Sequence, residues 1–501
     1  MNTRDHKILI ADKRKNQKRL ARKQYSDQPA PMFKPVNIRY EISERQRAIG
    51  FGGIGAIHTL VDRLGLAKIL DDQLHLLKFH LPYHESDHVL NMAYNVMTGG
   101  TYLEDIERLR QDGTYTKSLG ADRIPDPTTA GDFLRRFESN DLDQLQESIN
   151  QARRRVWDRQ KRSFREKAIV DFDGTIAATT GECKQGMDIS YDGQWGYAPL
   201  AATLAGTKEV LYLVNRSGNQ PSNAGAGPWM EKTLALVEPH FEEVWMRGDT
   251  DFSLTKYFDR WDERAWFVFG YDAKQNLISQ AEELPSPCWQ TLTRPARYQI
   301  QTQPRQKPEN VKERIVRERE YENIRLQSEQ VAEFEYQPTH CQKSYRMVVV
   351  RKNLSVEKGE KRLFDEIRYF FYITNERSLS APEVVFFAND RGDQENIIAQ
   401  LKSGIGALHL PCDDLLSNWA YMICAALAWN LKAWYGLMVP DKATGWQIVK
   451  MEFKRFLRSF IFIPCQIITG GRRLTFRILT YTDQLRTFLK TYEAIRDLCL
   501  T

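Results

Sequence analysis

The chain has 501 residues, which is long enough for two to four structural units. Hydrophobic residues make up 42% and charged residues 27%, which excludes a fibrous, collagen-like or wholly disordered chain. The net charge of +6 permits a polyanionic partner without requiring one.

The spacing of the cysteines and the length of the apolar runs indicate the cellular compartment of the protein. The seven cysteines include no C-x-x-C pair, which favours a reducing cytosol over a disulfide scaffold or a zinc ribbon. The N-terminus lacks the apolar core of a signal peptide. The longest apolar run, Ala420 to Trp429, is about half a membrane span and predicts a buried core helix. We therefore expect a soluble, cytoplasmic protein.

Positive charge is concentrated in three blocks. Residues 1–40 carry a balance of +8, residues 151–167 one of +6 and residues 450–501 one of +6. Three such blocks predict several contacts with a polyanion. The alternative is a solvated tail together with ordinary charged helix faces.

The first half of the chain divides into an arm, a helical region and an α/β region. Residues 1–42 are predicted to be a basic flexible arm, with PAPMFKP near its end. Residues 43–167 show apolar residues at three- and four-residue spacing and are predicted to be helical, including a basic helix over 153–167. From residue 168 the β-branched run AIVDFDGTI predicts a buried strand, and residues 168–273 are expected to form a mixed α/β unit.

The second half is predicted to contain an insertion and two helical segments. Residues 274–375 include YRMVVVR and IRYFFYIT, which indicate a mainly β insertion. Within it, NVKERIVRERE is either a solvated helix or a disordered loop. Residues 376–440 and a basic C-terminal region, 441–501, are then predicted to be helical.

Carboxylates lie where two predicted strands end. Asp171 and Asp173 are two residues apart on one strand and therefore share a face. Asp249 ends the strand VWMRGD. Acids at neighbouring strand ends would repel each other, so a bound cation is the natural resolution. The alternative is that these aspartates are helix N-caps.

A late helical segment carries a polar stripe. On an α-helix Arg391 and Glu395 lie about 40° apart, and Lys402 lies about 20° from Glu395. A carboxylate between two cations suits a metal and a phosphate group. The alternative is a salt bridge on a solvated face.

The string IVDFDGTI resembles the first motif of haloacid-dehalogenase-type phosphatases. In that interpretation Asp171 is the nucleophile. The position four after Asp249 is Ser253 instead of aspartate, and strand-like pieces follow where those phosphatases have a helix.

A second resemblance, to DDE transposases of bacterial insertion sequences, covers most of the chain. D-G-T resembles the motif of their first acid, Asp173, and RGDTDF that of their second, Asp249. The late helix resembles their Y-x2-R-x3-E-x6-K signature, with Ala388 at the tyrosine position. GYAPLAATLAG, NRSGNQPSNAGA and NWAYMICAALAWNLK are similar to the insertion-sequence family 1380 branch. The resemblance implies an RNase H-like mixed-sheet core, in two parts at 168–273 and 376–440.

The resemblance also implies an activity: cut-and-paste transposition by DNA cleavage and strand transfer. Asp173, Asp249 and Glu395 would hold two Mg²⁺ ions, with Mn²⁺ as a substitute. Arg391 and Lys402 would steady the DNA phosphates.

Further roles are expected around this centre. Asp171 is a supporting residue. Partners would be the terminal inverted repeats, target DNA and a second subunit in a synaptic complex, at the bacterial nucleoid. Candidate DNA-binding residues are Lys13, Arg14, Lys15, Arg19, Arg153, Arg154, Arg155, Arg472 and Arg473. A catalytically inactive DNA-binding relative is a further alternative.

Overall fold

The computed structural model describes residues 3–22, 39–40, 47–294, 310–358, 361–470 and 473–498. The chain divides into two compact units, Met1–Gln46 and Arg47–Thr501. The first boundary lies close to the predicted end of the arm at residue 42, and the later boundaries stay predictions. Among the described residues, no helix is both long and apolar enough to cross a membrane.

Helices make up most of the described chain before residue 160 and recur after it. They are α1 (Thr3–Ala21), α2 (Ile54–Arg63), α3 (Leu66–Gln73), α4 (Glu85–Met97), α5 (Ile106–Gln111), α6 (Gly113–Ser118), α7 (Pro127–Leu134), α8 (Ser139–Asp158), α9 (Ala226–Val237), α10 (Phe258–Trp261), α11 (Gln275–Glu283), α12 (Val311–Glu318), α13 (Ala381–Asn389), α14 (Gly392–Ala399), α15 (Leu415–Met438), α16 (Lys442–Lys450), α17 (Phe453–Phe456) and α18 (Leu485–Arg496).

The strands lie mostly between residues 167 and 374. They are β1 (Ala48–Ile49), β2 (Lys167–Gly174), β3 (Ala177–Ala178), β4 (Asp188–Ile189), β5 (Trp195–Tyr197), β6 (Leu200–Leu204), β7 (Glu209–Val214), β8 (Glu243–Gly248), β9 (Trp266–Tyr271), β10 (Gln290–Thr291), β11 (Glu322–Tyr336), β12 (Tyr345–Lys358), β13 (Lys361–Thr374), β14 (Cys465–Gly470) and β15 (Arg473–Ile478).

Within the predicted basic arm, Thr3–Ala21 forms the helix α1, and the flexibility of the arm stays a prediction. This segment contains no glycine or proline and is rich in lysine, arginine, alanine and leucine, which favour helix. The segment PAPMFKP lies outside the described residues.

The helical N-terminal region is confirmed from α2 to α8. Local capping explains one of its boundaries: the side chain of Asp126 accepts from the Thr129 amide at 2.9 Å, and Pro127 takes the first helical position of α7. The predicted basic helix over 153–167 is wrong in extent, because α8 ends at Asp158 and β2 begins at Lys167.

A nine-stranded mixed sheet organises the second unit, in the order β10-β11-β12-β13-β9-β8-β2-β6-β7. Strands β2, β8 and β9 are parallel, whereas β6 and β7 extend the sheet antiparallel on the other side of β2. The predicted mixed α/β class is therefore confirmed.

The predicted insertion is mainly β, and its strands continue the central sheet. β13 pairs antiparallel with β9, with Phe371 opposite Tyr271. β12 and β11 follow outward, and NVKERIVRERE contributes α12.

Two layers of helices cover the sheet. On one face α13 buries Val384 and Val385 against Val268 and Val348. On the other face the predicted core helix around Ala420–Trp429 is confirmed as α15, which is buried along most of its length beside β7, α4 and α8.

The C-terminal region differs from the helical prediction, because β14 and β15 form a hairpin that β1 extends. The glycines that precede α2 fit against this segment. A Cβ on Gly52 would lie 2.2 Å from Cys465 Sγ, and one on Gly53 would lie 1.9 Å from the Phe460 carbonyl oxygen.

Candidate active site

Asp173 and Asp249 lie at the carboxyl ends of neighbouring parallel strands. Asp173 is the penultimate residue of β2, and Asp249 directly follows β8. The register pairs Asp171 with Arg247, so two residues further on Asp173 comes beside Asp249. The predicted placement of both acids at strand ends is confirmed.

Asp249 also begins a short helical turn, as the N-cap alternative anticipated. Its Oδ1 accepts from the Asp251 amide at 3.0 Å. Gly248 allows this sharp exit from β8, because a Cβ there would lie 2.6 Å from the Phe252 Cβ. One carboxylate oxygen is thus used for capping, while the other has no hydrogen bond within the described part of the chain.

The third predicted acid, Glu395, lies on a helix, α14. After α13 ends at Asn389, the chain turns and α14 begins at Gly392, with Arg391 as its N-cap and Glu395 in its first turn. Arg391 Nη2 lies 3.4 Å from Asp173 Oδ2. Arg391 of the predicted stripe therefore faces the strand ends, and the charge of Glu395 adds to the rise in the pKa of Asp173.

The electrostatics of this cluster are those of crowded acids. Burial raises the pKa of Asp173 to about 6; Asp249 and Glu395 add to the rise, while Arg391 opposes it. Burial likewise raises the pKa of Asp249, and Arg391 again opposes the rise. One guanidinium therefore serves two half-buried carboxylates, which leaves the cluster short of positive charge.

Polar contacts attach α14 to the sheet. Lys208 Nζ, in the β6–β7 turn, lies 2.7 Å from Asp393 Oδ1. Gln394 is buried, and its Nε2 donates to the Ala201 carbonyl at 3.4 Å. Ala201 is the cross-strand partner of Asp173. The helix that carries Glu395 is thus fixed against the strand beside Asp173.

Asp171 belongs to a buried ion pair. Its two oxygens accept from Arg247 Nε and Nη2 at 2.6 and 2.9 Å, and the Asp171 side chain is 0% exposed. Arg247 Nη1 also donates to the Phe387 carbonyl at 3.0 Å, which ties β2 and β8 to the end of α13. A carboxylate held this way is not available as a nucleophile. This ion pair argues against the phosphatase interpretation, in which Asp171 is the nucleophile, and the supporting role of Asp171 stays a prediction.

The donor chemistry of the cluster fits a divalent cation, since Asp173, Asp249 and Glu395 offer only carboxylate oxygens. Burial raises the pKa values of the two aspartates and Arg391 only opposes that rise, so a bound cation would favour their charged forms. Within the described ranges, however, no group of three or more histidine, cysteine, aspartate or glutamate side chains is close enough to hold a metal ion. Asp173 at present faces Arg391.

Lys402 lies on the rim of a cleft next to these acids. Residues 400–404 form a π-helical turn, which is wider than an α-turn, so Lys402 departs from the position expected for a regular helix. The Lys402 side chain is exposed and lines a cavity of about 640 Å³ that reaches Gly174 and Asp251. It therefore faces the cleft, whereas Arg391 faces Asp173.

Several of the predicted DNA-binding side chains are exposed. Those on α1 that point to solvent are Lys13, Arg14, Lys15 and Arg19. Arg473 is exposed on β15, and Arg472 lies outside the described residues. Arg154 pairs with Glu147 at 2.7 Å, and the exposed Arg155 donates to the Leu64 carbonyl at 2.5 Å.

The prediction that Arg153 contacts DNA is wrong for the folded chain, because its side chain is 0% exposed. Arg153 Nε donates to Glu209 Oε1 at 3.0 Å, and the indoles of Trp157 and Trp434 donate to the same carboxylate at 3.0 and 2.7 Å. This charge belongs to a buried network that joins α8, α15 and β7.

The sequence patterns did not single out three residues of the cleft wall: Tyr191, Gln194 and Arg216. Arg216 lies in the segment NRSGNQPSNAGA, whose glycines and asparagines indicated turns. An arginine within such a turn, close after a predicted strand, was the one sequence feature that could have indicated a residue of the cleft. Nothing marked Tyr191.

The family model for transposase DDE domains, group 1, matches residues 46–500. A comparison with curated proteins finds no match. Among solved structures, the chain is similar to the piggyBac transposase in a synaptic complex with hairpin DNA, determined by cryo-EM. The identity is 10% and the TM-score 0.38, over 82% of this chain and 81% of that chain. A likeness at this level is too weak to argue from.

Proposed function

We propose that this chain, which belongs to the family of transposase DDE domains of group 1, cuts and joins DNA at the ends of an insertion sequence by a cut-and-paste route. The reaction would be metal-dependent cleavage followed by strand transfer. The resemblance of its motifs to the insertion-sequence family 1380 branch supports that assignment, although Ala388 leaves the tyrosine position of the signature without a phenol.

The observation that carries the proposal is the convergence of three acids from distant parts of the sequence. Asp173 and Asp249 come from two neighbouring strand ends and Glu395 from a helix, and the charges of Asp249 and Glu395 both raise the pKa of Asp173. Crowding acids at one sheet edge costs stability, which is the usual sign of a site kept for chemistry. Asp171, by contrast, is fully paired with Arg247.

The order of strands supports an RNase H-like core. In chain order β2, β6 and β7 form an antiparallel run, and β8 and β9 then add in parallel beside β2. This gives the arrangement 3-2-1-4-5 that we assign to the RNase H-like fold. In this assignment the first acid lies on the central strand and the second on its parallel neighbour.

Divalent metal ions, Mg²⁺ or Mn²⁺, would be held by the carboxylates of Asp173, Asp249 and Glu395. When bound, they supply the charge that activates the attacking hydroxyl and stabilises the leaving oxygen. The protein contributes the geometry: β2 and β8 fix the two aspartates, and the contacts of Lys208 and Gln394 fix α14. Arg391 would leave Asp173 for a DNA phosphate as the acids become neutralised.

Lys402 and the exposed basic residues of α1 would bind the DNA backbone. Their side chains are free of the buried contacts that hold Arg153. Backbone contacts of this kind position the DNA without reading its sequence. A homodimer that brings two element ends together would complete the assembly, in the cytoplasm at the bacterial nucleoid.

Excision of a marked element, flanked by the DNA that borders the gene, tests this function. We expect excision with the wild-type protein and none with Asp173→Asn, which keeps the shape of the side chain and removes its charge. Asp122→Asn, at an exposed loop position, is the matched control and should excise normally. Excision by Asp173→Asn at the wild-type rate would overturn the proposal.

A further inference from the structure

A two-part cleft lies directly beside the acidic cluster. Its first part, about 640 Å³, runs from Gly174 to Lys402. Its second part, about 900 Å³, lies along the β3–β5–β4 sheet and reaches His409. Gln194 lines both parts, so the β4–β5 hairpin forms the wall between them. Cavities of this size hold ligands as large as one or two nucleotides.

Two large aromatic side chains project from this hairpin. Tyr191, at its tip, is 94% exposed and lines the first part; Trp195 is 51% exposed and lines the second. Aromatic rings that line a cavity offer faces on which nucleic-acid bases can stack.

The hairpin that carries these rings is held firmly. At its tip the Gly193 amide donates to the Ser190 carbonyl at 2.9 Å. At its base Asn219 Nδ2 donates to Asp188 Oδ2 at 2.6 Å. The neighbouring loop fits so closely that a Cβ on Gly218 would lie 2.3 Å from the Asp188 carbonyl oxygen. The rings are thus presented by a preorganised element, which lowers the entropic cost of binding.

The inner wall of the cleft carries an incompletely paired cation. Arg216 donates from Nε to the Ala198 carbonyl at 2.8 Å and from Nη1 to the Ser222 carbonyl at 2.7 Å. Its Nη2 is buried without a hydrogen-bond partner among the described residues. Nη1 also donates to the Ala224 carbonyl at 2.8 Å, so the partners of Arg216 are uncharged oxygens and it forms no ion pair within the described ranges. Its positive charge lines the cavity and suits a phosphate group there.

We propose that this cleft binds unpaired nucleotides next to the phosphate that is cut, with bases stacked on Tyr191 and Trp195 and the backbone held by Arg216 and Lys402. Aromatic faces combined with cations are the means by which proteins bind single-stranded nucleic acid. Paired bases do not offer their faces, because they stack on their neighbours within the duplex. The inference deepens the proposed function and rests on it.

Binding of two labelled DNA probes separates this inference from the function itself. One probe is a blunt duplex, and the other is the same duplex with an unpaired thymidine tail at one end. We expect the full-length protein to bind both, and to bind the tailed probe tighter by about fivefold or more. Tyr191→Ala and Trp195→Ala should each reduce that ratio towards one, whereas Tyr191→Phe should preserve it.

Tyr321→Ala is the matched control, because Tyr321 is also exposed but lies on the insertion, away from the cleft lining. It should leave the ratio unchanged. The inference is overturned if the wild-type ratio is one, or if Tyr191→Ala and Trp195→Ala keep the wild-type ratio. Failure of the wild-type protein to bind even the blunt duplex would instead remove the proposed function and, with it, this inference.

Discussion

Arg391 Nη2 lies 3.4 Å from Asp173 Oδ2, which makes this guanidinium the nearest cation to the most perturbed carboxylate of the site. The two residues are 218 positions apart in sequence and meet because α14 is fixed against β6 beside β2. The pair therefore links the strand acids to the helix that carries Glu395.

Removal of Arg391 should move the acid limb of DNA cleavage. The charge of Arg391 lowers the pKa of Asp173, so in Arg391→Ala that pKa rises and the carboxylate is protonated at higher pH. We expect the acid limb of the cleavage rate at limiting DNA, which reports the free protein, to shift upward by roughly one pH unit. Arg391→Lys should shift it less, and Arg368→Ala, a change at an exposed arginine of the insertion, not at all. An unchanged limb in Arg391→Ala would contradict this account.

Asp173→Asn should stabilise the protein at neutral pH. The folded-state pKa of Asp173 is about 6 against an ordinary 3.8, so the charged form is disfavoured in the fold. This cost is present above pH 6 and disappears as the pH falls towards 4. We expect the free energy of unfolding to rise by on the order of 2 kcal/mol at pH 7, with a smaller gain at pH 4.5.

Urea denaturation of the wild type and Asp173→Asn at both pH values measures this difference. Asp122→Asn, at an exposed aspartate, should change little at either pH. A destabilised Asp173→Asn variant, or a gain that does not depend on pH, would show that Asp173 is not strained by its surroundings.

Asp171→Asn should have the opposite effect, although Asp171 lies only two residues away on the same face of β2. The variant leaves Arg247 buried without a counter-charge, which costs about 3–5 kcal/mol of unfolding free energy. Urea denaturation at pH 7 checks the sign. Equal stabilities for Asp171→Asn and wild type would mean that the Asp171–Arg247 pair does not anchor α13.

The basic residues should divide into two classes by salt dependence. Alanine at Arg14 and Lys15, both exposed on α1, should each lower the slope of log K against log salt by about one. Arg153→Ala should leave that slope unchanged and instead destabilise the fold, since Glu209 loses its buried counter-charge. DNA titrations at several salt concentrations, paired with urea denaturation, separate the classes; a loss of slope in Arg153→Ala would contradict the burial.

The sequence predicted the acidic site because its signals are local. Asp173 and Asp249 end short apolar strands, and Arg391 and Glu395 are one helical turn apart, so periodicity placed the aspartates at strand ends and the other two residues on one helix face. The choice of Asp173 over Asp171 and the grouping of the three acids into one site came from the resemblance to DDE transposases. The same reasoning does not reach the pairing of Arg391 with Asp173, which depends on how α13 packs against the sheet.

Other features depend on partners far away in sequence. In the run RRR, Arg153 cannot be told apart from the two arginines that follow it. It is a core residue because its guanidinium pairs with Glu209, which lies 56 residues later in the sequence. The hairpin of β14 and β15 consists of two short strands whose neighbour β1 lies more than 400 residues earlier. Tertiary packing therefore decided both cases against local pattern.

Cleavage of element-end DNA by Glu395→Gln tests the central claim most directly. Purified wild type and variant are compared with Mg²⁺ present, and binding to the same DNA is measured in parallel. Glu366→Gln, at a partly exposed glutamate of β13 in the insertion, is the control and should cleave normally. The account predicts that Glu395→Gln binds the ends as tightly as wild type and does not cut them. Cleavage at the wild-type rate by Glu395→Gln would contradict the three-carboxylate site.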